Sequence, residues 1–384
     1  MPERDEAVLR PQSEGELAEI IASADTPLSP RGGNTRGLSG PGRALSSAGL
    51  SGITLYEPGA LTLVAQAGTS LREIDALLAA ENQRLAFEPM DHRPLLGHDG
   101  EPTLGGICAA NVCGPRRLAV GAARDFMLGI RCVDGSGRII ANGGRVMKNV
   151  TGYDLVRLFA GSCGTLGVLS QVALKVLPQP ETQASLTLHG LDERAAVAVM
   201  ARAMGSPFEV TGAAHMPGDA TEDARTHLRI EGFEASVRYR IARLRALLSD
   251  AASEVSEIGA GESQRLWQRI RDVEIFANRA GDVWRLSCKP GDGPSLARRA
   301  GAEACAYDWA GGLVWLLMPP GSDLRSRLGR FEGHATYLRG ATADRRRLGV
   351  LQPEPPGMAR LSAGLRRQFD PKNRLNGGLL AVSL

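Results

Sequence analysis

Strand-like and helix-like runs alternate along the first 180 residues. Behind Ser13, apolar residues recur three and four positions apart, which predicts a short helix with Ser13 as its N-cap. Two apolar runs at 53–56 and 61–67 are separated by a Pro-Gly turn and predict a pair of strands. The spacing of leucine and isoleucine over 71–81 predicts a helix packed on that sheet, so helices and strands form layers here.

The stretch up to residue 177 continues this mixture. Residues 129–133 and 138–141 flank Asp-Gly-Ser-Gly and predict a β-hairpin. An apolar segment at 155–160 predicts a helix, and the long apolar run at 168–177 predicts a strand. Prolines at 178 and 180 end that strand, because proline donates no hydrogen bond to a sheet. We therefore expect a domain boundary at residue 180.

The second half predicts a smaller domain of helices on an antiparallel sheet. Residues 185–188 alternate in polarity and 313–317 form an apolar run, and both predict strands. Apolar residues at helical spacing over 237–248 predict a helix. A last helix is expected over 358–368, ending near Pro371.

Composition places the chain among soluble globular proteins. Its 384 residues suffice for two domains, and its net charge of +3 gives no sign of a polyanionic partner. It has no apolar run of about 18 residues and no apolar N-terminal segment, so we expect a cytoplasmic protein. The six cysteines form no Cys-x-x-Cys pair, so we expect reduced thiols and neither zinc nor an iron–sulfur cluster in this chain.

Three glycine-dense runs, at 31–35, 103–114 and 161–168, lie between the predicted elements of the first half. Glycine lets a backbone approach a ligand closely, and free N–H groups in such loops form anion cradles. Together the runs favour a large phosphate-bearing cofactor, with ordinary tight turns as the alternative. Neither Gly-x-Gly-x-x-Gly nor the P-loop motif occurs, which disfavours both of these nucleotide folds.

Histidines in the irregular, polar stretch 89–102 are a second candidate feature. His92 and His98 could be metal ligands, but we expect them to be solvated surface residues. The remaining histidines are scattered, so no metal site is expected.

The ordered motifs resemble the FAD-binding domain of the vanillyl-alcohol oxidase and p-cresol methylhydroxylase (PCMH-type) superfamily. The landmarks are Arg-Gly-Gly-Asn-Thr at 31–35, Ala-Gly-Thr at 67–69, Thr-x-Gly-Gly at 103–106, Lys-Asn-x-x-Gly-Tyr-Asp at 148–154 and Gly-Ser-x-Gly-Thr-Leu-Gly-Val at 161–168. Within the superfamily, the chain resembles the FAD-binding E subunits of bacterial glycolate oxidases. That resemblance is carried by 114–117, 123–129, 146–154, 283–287, 307–312, 333–336 and 369–376.

The resemblance implies an α+β fold in three parts. These are a PCMH-type two-subdomain FAD-binding domain at 1–180, a cap domain with an antiparallel sheet at 181–357, and a C-terminal helix and tail at 358–384 that return to the flavin domain. Neither His92 nor His98 lies in the motif that carries covalent flavin in some relatives, so we predict non-covalent FAD.

Matched position by position, the resemblance implies flavin contacts in three loops and the tail. The pyrophosphate loop would comprise Arg31, Gly32, Gly33, Asn34 and Thr35. The second loop would comprise Thr103, Gly105, Gly106, Ala109, Ala110, Asn111 and Val112. The adenosine-side loop would comprise Cys163, Gly164, Thr165, Gly167 and Val168, and Asn376 would lie near the isoalloxazine ring. Relatives often have glutamate at Cys163 and a proline after Asn376, so contacts through the Cys163 backbone are expected and the placement of the tail stays open.

Catalysis on a 2-hydroxy acid needs a base, a cation for the carboxylate and a flavin to accept hydride. Arg285 is the candidate carboxylate partner, because a guanidinium pairs with carboxylates through two hydrogen bonds. An ion pair or a surface position is the alternative. His334 is the second catalytic candidate, with a structural histidine as its alternative.

The resemblance implies a subunit of a glycolate oxidase complex, which converts glycolate to glyoxylate and passes electrons through flavin to an iron–sulfur subunit. Its partners would be a larger flavoprotein subunit and that iron–sulfur subunit, in the cytoplasm or peripheral at the inner membrane. Two alternatives stay open: a self-sufficient FAD-dependent 2-hydroxy-acid dehydrogenase, and a non-catalytic structural subunit with a degraded flavin site.

Overall fold

The computed structural model describes residues 8–38, 40–145, 152–218 and 223–379. The strands of the first half are β1 (Leu28–Arg31), β2 (Arg43–Ser46), β3 (Ile53–Glu57), β4 (Thr62–Gln66), β5 (Gln83–Arg84), β6 (Met127–Asp134), β7 (Ile139–Gly143), β8 (Gly167–Lys175) and β9 (Leu177–Pro178). Its helices are α1 (Glu14–Ser23), α2 (Leu71–Ala80), α3 (Arg93–Leu96), α4 (Leu104–Ala109), α5 (Arg117–Val120), α6 (Ala123–Phe126) and α7 (Leu155–Phe159).

The described residues of the first half form three sheets. Strands β1 and β2 pair in parallel, the order β3-β4-β8-β6-β7 forms an antiparallel sheet, and β5 pairs with β9. The predicted Ser13 cap is present, because Ser13 Oγ accepts the N–H of Glu16 at 3.1 Å, and Ser70 Oγ likewise accepts the N–H of Glu73 at 3.1 Å. These bonds satisfy donors that the first turn of a helix leaves unpaired. The predicted helices at α1 and α2 and the β6–β7 hairpin are confirmed.

The second half has strands β10 (Thr182–His189), β11 (Gly212–Met216), β12 (Arg225–Gly232), β13 (Val255–Ile258), β14 (Asp282–Cys288), β15 (Ala304–Asp308), β16 (Leu313–Met318) and β17 (Gly333–Arg339). Its helices are α8 (Glu193–Met204), α9 (Glu234–Leu247), α10 (Ala260–Arg271), α11 (Gly293–Ala300), α12 (Leu324–Leu328), α13 (Thr342–Leu348) and α14 (Pro356–Phe369). In the described part of the chain, no helix is both long and apolar enough to cross a bilayer.

One antiparallel sheet, β13-β10-β12-β11-β15-β16-β14-β17, organises this half. Strand β16 is buried on both faces, as its continuous apolar sequence requires. Leu313, Trp315 and Leu317 pack into the core shared with the first half, whereas the residues between them pack under α11 and α12. One face of the large sheet therefore lies directly on the first half. The predicted α+β fold class, with an antiparallel sheet in the second part, is confirmed.

The chain returns to the first half after α14. Leu375 forms a parallel bridge with Leu28, and the N–H of Asn376 donates to the carbonyl oxygen of Leu28 at 3.0 Å. The expected domain boundary at residue 180 falls in the link between β9 and β10. The boundary at residue 357 stays a prediction, because α14 begins at Pro356 and is continuous across that position.

Candidate functional site

Three loops of the first half surround a cleft with about 840 Å³ of empty space, part of it open to solvent. The loops follow β1, lead into α4 and precede β8. The predicted cofactor residues that line the cleft are Arg31, Gly32, Gly33, Asn34, Thr35, Thr103, Gly105, Gly106, Ala109, Ala110, Cys163, Gly164, Gly167 and Val168. The fold thus brings together three motifs that are up to 138 residues apart (from Arg31 to Leu169, 169 − 31).

Close backbone packing holds the first loop against the second. A Cβ on Gly33 would overlap the carbonyl oxygen of Glu101, and a Cβ on Gly32 would overlap the Thr103 hydroxyl. Thr103 Oγ1 itself accepts the N–H of Gly106 at 3.3 Å. Only glycine fits these two positions without displacing the neighbouring loop.

Four predicted residues lie outside this cleft. Asn111 and Val112 line an adjoining cavity, whereas Thr165 and Asn376 line neither space. The Thr165 hydroxyl donates to the carbonyl oxygen of Ser162 at 2.7 Å, so it stabilises the third loop.

Asn376 joins the first and third loops from behind the cleft. Its Nδ2 donates to the carbonyl oxygens of Pro30 at 3.1 Å and Cys163 at 2.8 Å. Its Oδ1 accepts the N–H of Gly40 at 2.9 Å. Asn376 is 1% exposed and has a φ of 46°, a left-handed conformation that asparagine tolerates better than most residues. The tail therefore positions the loops that line the cleft.

Donors without partners make the cleft suitable for an anionic group. The N–H groups of Gly32, Gly33 and Asn34 donate no hydrogen bond to any residue that the structure describes. Nε and Nη1 of Arg36 are buried and have no partner there either. Buried donors without partners cost free energy, and backbone N–H groups in loops bind phosphate oxygens. A phosphate-bearing cofactor fits the three backbone N–H groups of this loop. Arg36 was not among the predicted contacts, although it directly follows the 31–35 motif.

A second cavity adjoins the first, between the two halves of the chain. Arg36, Met90, His92 and Ala110 line both spaces. The other residues of the second cavity are Asn111, Val112, Cys113, Gly114, Arg271, Arg285, Asp308, Trp309, Leu313 and Trp315. A small molecule in this cavity would lie beside whatever fills the cleft.

Arg285 faces the second cavity from β14. Its guanidinium carbon lies 5.0 Å from the centre of the Trp309 ring, and that of Arg117 lies 4.9 Å from the same ring. Burial lowers the pKa of Arg285 to about 10, and Arg36 acts in the same direction, so Arg285 stays cationic at neutral pH. Its guanidinium has no hydrogen bond or ion pair with the described residues.

His334 is placed differently. It lies on β17, opposite Ser287 of β14. It is exposed and lines neither the cleft nor the second cavity. The structure therefore brings Arg285 into the second cavity and leaves His334 outside it.

The expectation that His92 is a solvated surface residue is wrong. Its side chain is 5% exposed, and Nδ1 donates to the carbonyl oxygen of Met90 at 3.2 Å. Burial, and then the charge of Arg36, lowers the pKa of His92 well below its usual range, so the ring is neutral. The polar sequence of 89–102 did not reveal this, because the burial comes from contacts distant in the chain. His98 is half-buried.

Asp308 is a buried acid that the sequence patterns did not single out. It ends β15, is 4% exposed, and its Oδ1 accepts the N–H of Trp309 at 2.7 Å. Burial raises the pKa of Asp308 to about 7. Trp309 and Ala310 follow with φ of 53° and 55°, and such strained backbone is common at functional sites. The only sequence signal was the 307–312 motif, which contributed to the resemblance.

Two further expectations concern motifs and metals. Residues 146–151, which hold most of the Lys-Asn-x-x-Gly-Tyr-Asp motif, lie outside the described residues. Within the described ranges, no group of three or more histidine, cysteine, aspartate or glutamate side chains could hold a metal ion. The six cysteines form no disulfide.

Comparison with known proteins agrees with this geometry. Residues 6–142 match the family described as FAD binding domain. The chain is 34% identical over 368 residues to the glycolate oxidase subunit GlcE of Escherichia coli (strain K12), covering 94% of this chain and 95% of that protein. It is 32% identical over 189 residues to the glycolate oxidase subunit GlcD of Bacillus subtilis (strain 168), covering 47% of this chain and 39% of GlcD.

The fold also matches solved structures. An alkyldihydroxyacetonephosphate synthase aligns with a TM-score of 0.67 at 16% identity, covering 97% of this chain and 76% of the synthase. At this identity the match supports the fold alone. FAD is the cofactor that the family match and the relatives support, as the sequence predicted.

Proposed function

The chain belongs to the FAD-binding oxidoreductase family that contains the glycolate oxidase subunit GlcE, and we propose that it is the FAD-binding subunit of a glycolate oxidase complex. The complex would oxidise glycolate to glyoxylate and pass the electrons to an iron–sulfur subunit. Similarity to GlcE over 94% of the chain carries this proposal, because a shared domain alone would match only the first half.

The three loops of the cleft would hold FAD without a covalent bond. The free N–H groups of Gly32 and Gly33 suit the pyrophosphate, and the backbone around Cys163 suits the adenosine side. Bound FAD supplies the acceptor for hydride. The chain contributes a shaped, partly enclosed cleft whose loops are fixed by Asn376. Cys163 contributes through its backbone, because its Sγ makes only a 3.6 Å contact with the Gly161 carbonyl oxygen.

Partner subunits follow from the same relationship. GlcE and GlcD of other bacteria are each named as subunits of glycolate oxidase, so we propose a larger flavoprotein subunit as one partner. An iron–sulfur subunit would be the other, since electrons must leave the flavin. The complex would reside in the cytoplasm or at the inner membrane surface.

An absorption spectrum of the purified chain tests the proposal, before and after anaerobic addition of glycolate. Flavin bands that leave the protein on acid precipitation are expected, since the cofactor would be non-covalent. Failure to bind FAD after reconstitution would refute the proposal and leave a structural subunit. Bleaching by glycolate in the isolated chain would favour the self-sufficient dehydrogenase. Bleaching only after addition of the partner subunits would favour the complex.

A further inference from the structure

Two cations without counter-ions face the second cavity. Arg36 enters it from the loop after β1, and Arg285 enters it from β14 in the other half of the chain. Neither guanidinium forms an ion pair or hydrogen bond with the described residues, and Nε and Nη1 of Arg36 are fully buried. The buried Arg229, by contrast, binds Glu88 at 2.8 Å. Buried charges are normally paired, so this pair indicates an anionic ligand.

We infer that this cavity binds a small 2-hydroxycarboxylate, with Arg36 and Arg285 holding the carboxylate and Asp308 accepting the hydroxyl proton. The inference rests on the proposed function and assigns the substrate side of the same site. A guanidinium from each half would contact the carboxylate, so the site requires both halves of the chain.

The size and lining of the cavity agree with a small, polar ligand. It has about 500 Å³ of empty space, part of it open to solvent, and Trp309 and Trp315 are among the residues that line it. Apolar walls exclude water and strengthen the attraction between a carboxylate and the two guanidinium groups. Because His92 is neutral, it adds no competing charge.

Asp308 is placed to exchange a proton with the ligand. Its Oδ1 is held by the Trp309 N–H, and it accepts no other hydrogen bond from the described residues, which leaves Oδ2 available. The strained backbone of Trp309 and Ala310 fixes this geometry. A carboxyl group with a pKa near neutrality can accept a proton at the working pH and release it afterwards.

The implied reaction balances with FAD as the oxidant. The O–H bond breaks and its proton passes to Asp308. FAD, held by the three loops of the cleft, would supply the two-electron oxidant, so the adjacent carbon would lose its hydrogen together with both bonding electrons and gain a second bond to oxygen. The product is a 2-oxo acid, and protonated Asp308 returns its proton to solvent.

Several charges around Asp308 bear on its titration. Burial is the largest cause and raises its pKa, as does Glu88, and together they outweigh the Trp309 N–H, Arg229 and Arg285, which lower it. Arg117 lies 4.9 Å from the centre of the Trp309 ring. His92 and Cys113 line the same cavity. A measured pH profile must therefore be tested with a variant of Asp308 itself.

The test of binding uses the chain reconstituted with FAD and titrated with oxalate, which has carboxylates but no C–H bond to oxidise. Calorimetry and the shift of the flavin spectrum measure its dissociation constant. Arg36→Gln and Arg285→Gln should each weaken oxalate binding at least 10-fold, about the value of one charged hydrogen bond. Arg243→Gln, an exposed position on α9, should change nothing. Absence of oxalate binding, or equal affinity in all variants, would overturn the inference.

The test of Asp308 separates binding from proton transfer. Asp308→Asn should bind oxalate within about 3-fold of the parent but reduce its flavin with glycolate at least 100-fold more slowly. The parent rate should rise with pH through about 7, and this rise should be absent in the variant. The exposed Asp25→Asn serves as the control. An unchanged rate and pH profile in Asp308→Asn would overturn the role of Asp308.

Three outcomes separate this inference from the proposed function. If the chain binds FAD and its partner subunits but does not bind oxalate, the substrate site is refuted and the proposed function stands. Loss of FAD from Arg36→Gln would instead assign Arg36 to the cofactor and overturn its role here. Failure of the parent chain to bind FAD would refute the proposed function itself.

Discussion

Arg229 binds Glu88 through two parallel hydrogen bonds, Nη1 to Oε1 at 2.8 Å and Nη2 to Oε2 at 2.9 Å. The pair joins β12 of the large sheet to the loop after β5, and therefore connects the two halves of the chain. Glu231, on the same strand, binds Arg84 at 2.7 Å and also pairs with Arg116. These charges form one network of ion pairs between the two halves. This network holds the two halves in position relative to each other.

Removing a member of this network should destabilise the chain strongly. Glu231→Gln leaves the guanidinium groups of Arg84 and Arg116 without their carboxylate, and an unpaired buried charge costs about 3–5 kcal/mol. Denaturant unfolding measures the loss. The matched control is Glu234→Gln, which breaks an exposed pair with Arg238 and should cost less than about 1 kcal/mol. Equal losses of unfolding free energy in the two variants would show that Glu231 does not hold a buried network.

The same carboxylate predicts a pH dependence of stability. Burial by itself would raise the pKa of Glu231, but Arg229, Arg116 and Arg84 lower it to about 2. Its unfolded pKa is about 4.5, so the unfolded state binds more protons between these values. The contribution of Glu231 to the free energy of unfolding is complete above about pH 4.5 and falls as the pH drops toward 2. Unfolding free energy in that window should decline less steeply in Glu231→Gln than in the parent.

Gly33→Ala should abolish FAD binding with little change in overall folding. The added Cβ would overlap the carbonyl oxygen of Glu101 and push the first loop away from the second. Gly59→Ala is the control, since nothing lies within 4 Å of the added carbon there. Flavin retained after gel filtration provides the measurement. Equal retention in both variants would show that the loop has room to move.

Asn376 and Cys163 should differ in their effect on FAD. Asn376→Ala removes three hydrogen bonds that join the loops, and we expect FAD affinity to fall at least 10-fold. Cys163→Ala should keep the parent affinity within about 2-fold, because its backbone carbonyl makes the hydrogen bond to the tail and its Sγ makes only a 3.6 Å contact with the Gly161 carbonyl oxygen. Fluorescence titration of the apoprotein with FAD distinguishes the two. A large loss in Cys163→Ala would point to a side-chain role.

Asp308→Asn should stabilise the chain above neutral pH. Because the folded pKa of Asp308 is about 7 and its unfolded value about 3.8, the unfolded state loses this proton between the two pH values while the folded state keeps it, so stability falls as the pH rises between them. The asparagine carries no charge, so we expect a gain of about 1–3 kcal/mol at pH 8 and none at pH 4. Denaturant curves at both pH values give the comparison. A loss of stability at pH 8 would mean that the ionised carboxylate is stabilising.

The sequence alone determined the fold class and the cofactor cleft. Helical spacing and caps located α1, α2 and α9, and alternation located the β6–β7 hairpin, because these patterns depend on neighbours a few residues away. The glycine motifs predicted the cleft for a related reason. Backbone that must approach a ligand or another loop admits only glycine at Gly32 and Gly33, and this restriction is visible in the residues themselves.

Only the tertiary structure decided the second cavity and the role of the tail. Arg36, His92, Arg285 and Asp308 lie on elements up to 272 positions apart (from Arg36 to Asp308, 308 − 36), and no local pattern states that they share one space. The burial of His92 and the raised pKa of Asp308 come from that shared space, because desolvation depends on what surrounds a group and not on its sequence neighbours. Asn376 likewise acquires its partners only when the tail folds back on the first half. Local patterns depend on neighbouring residues and can therefore be read from the sequence. Burial and electrostatic interactions depend on distant segments that meet only in the folded chain.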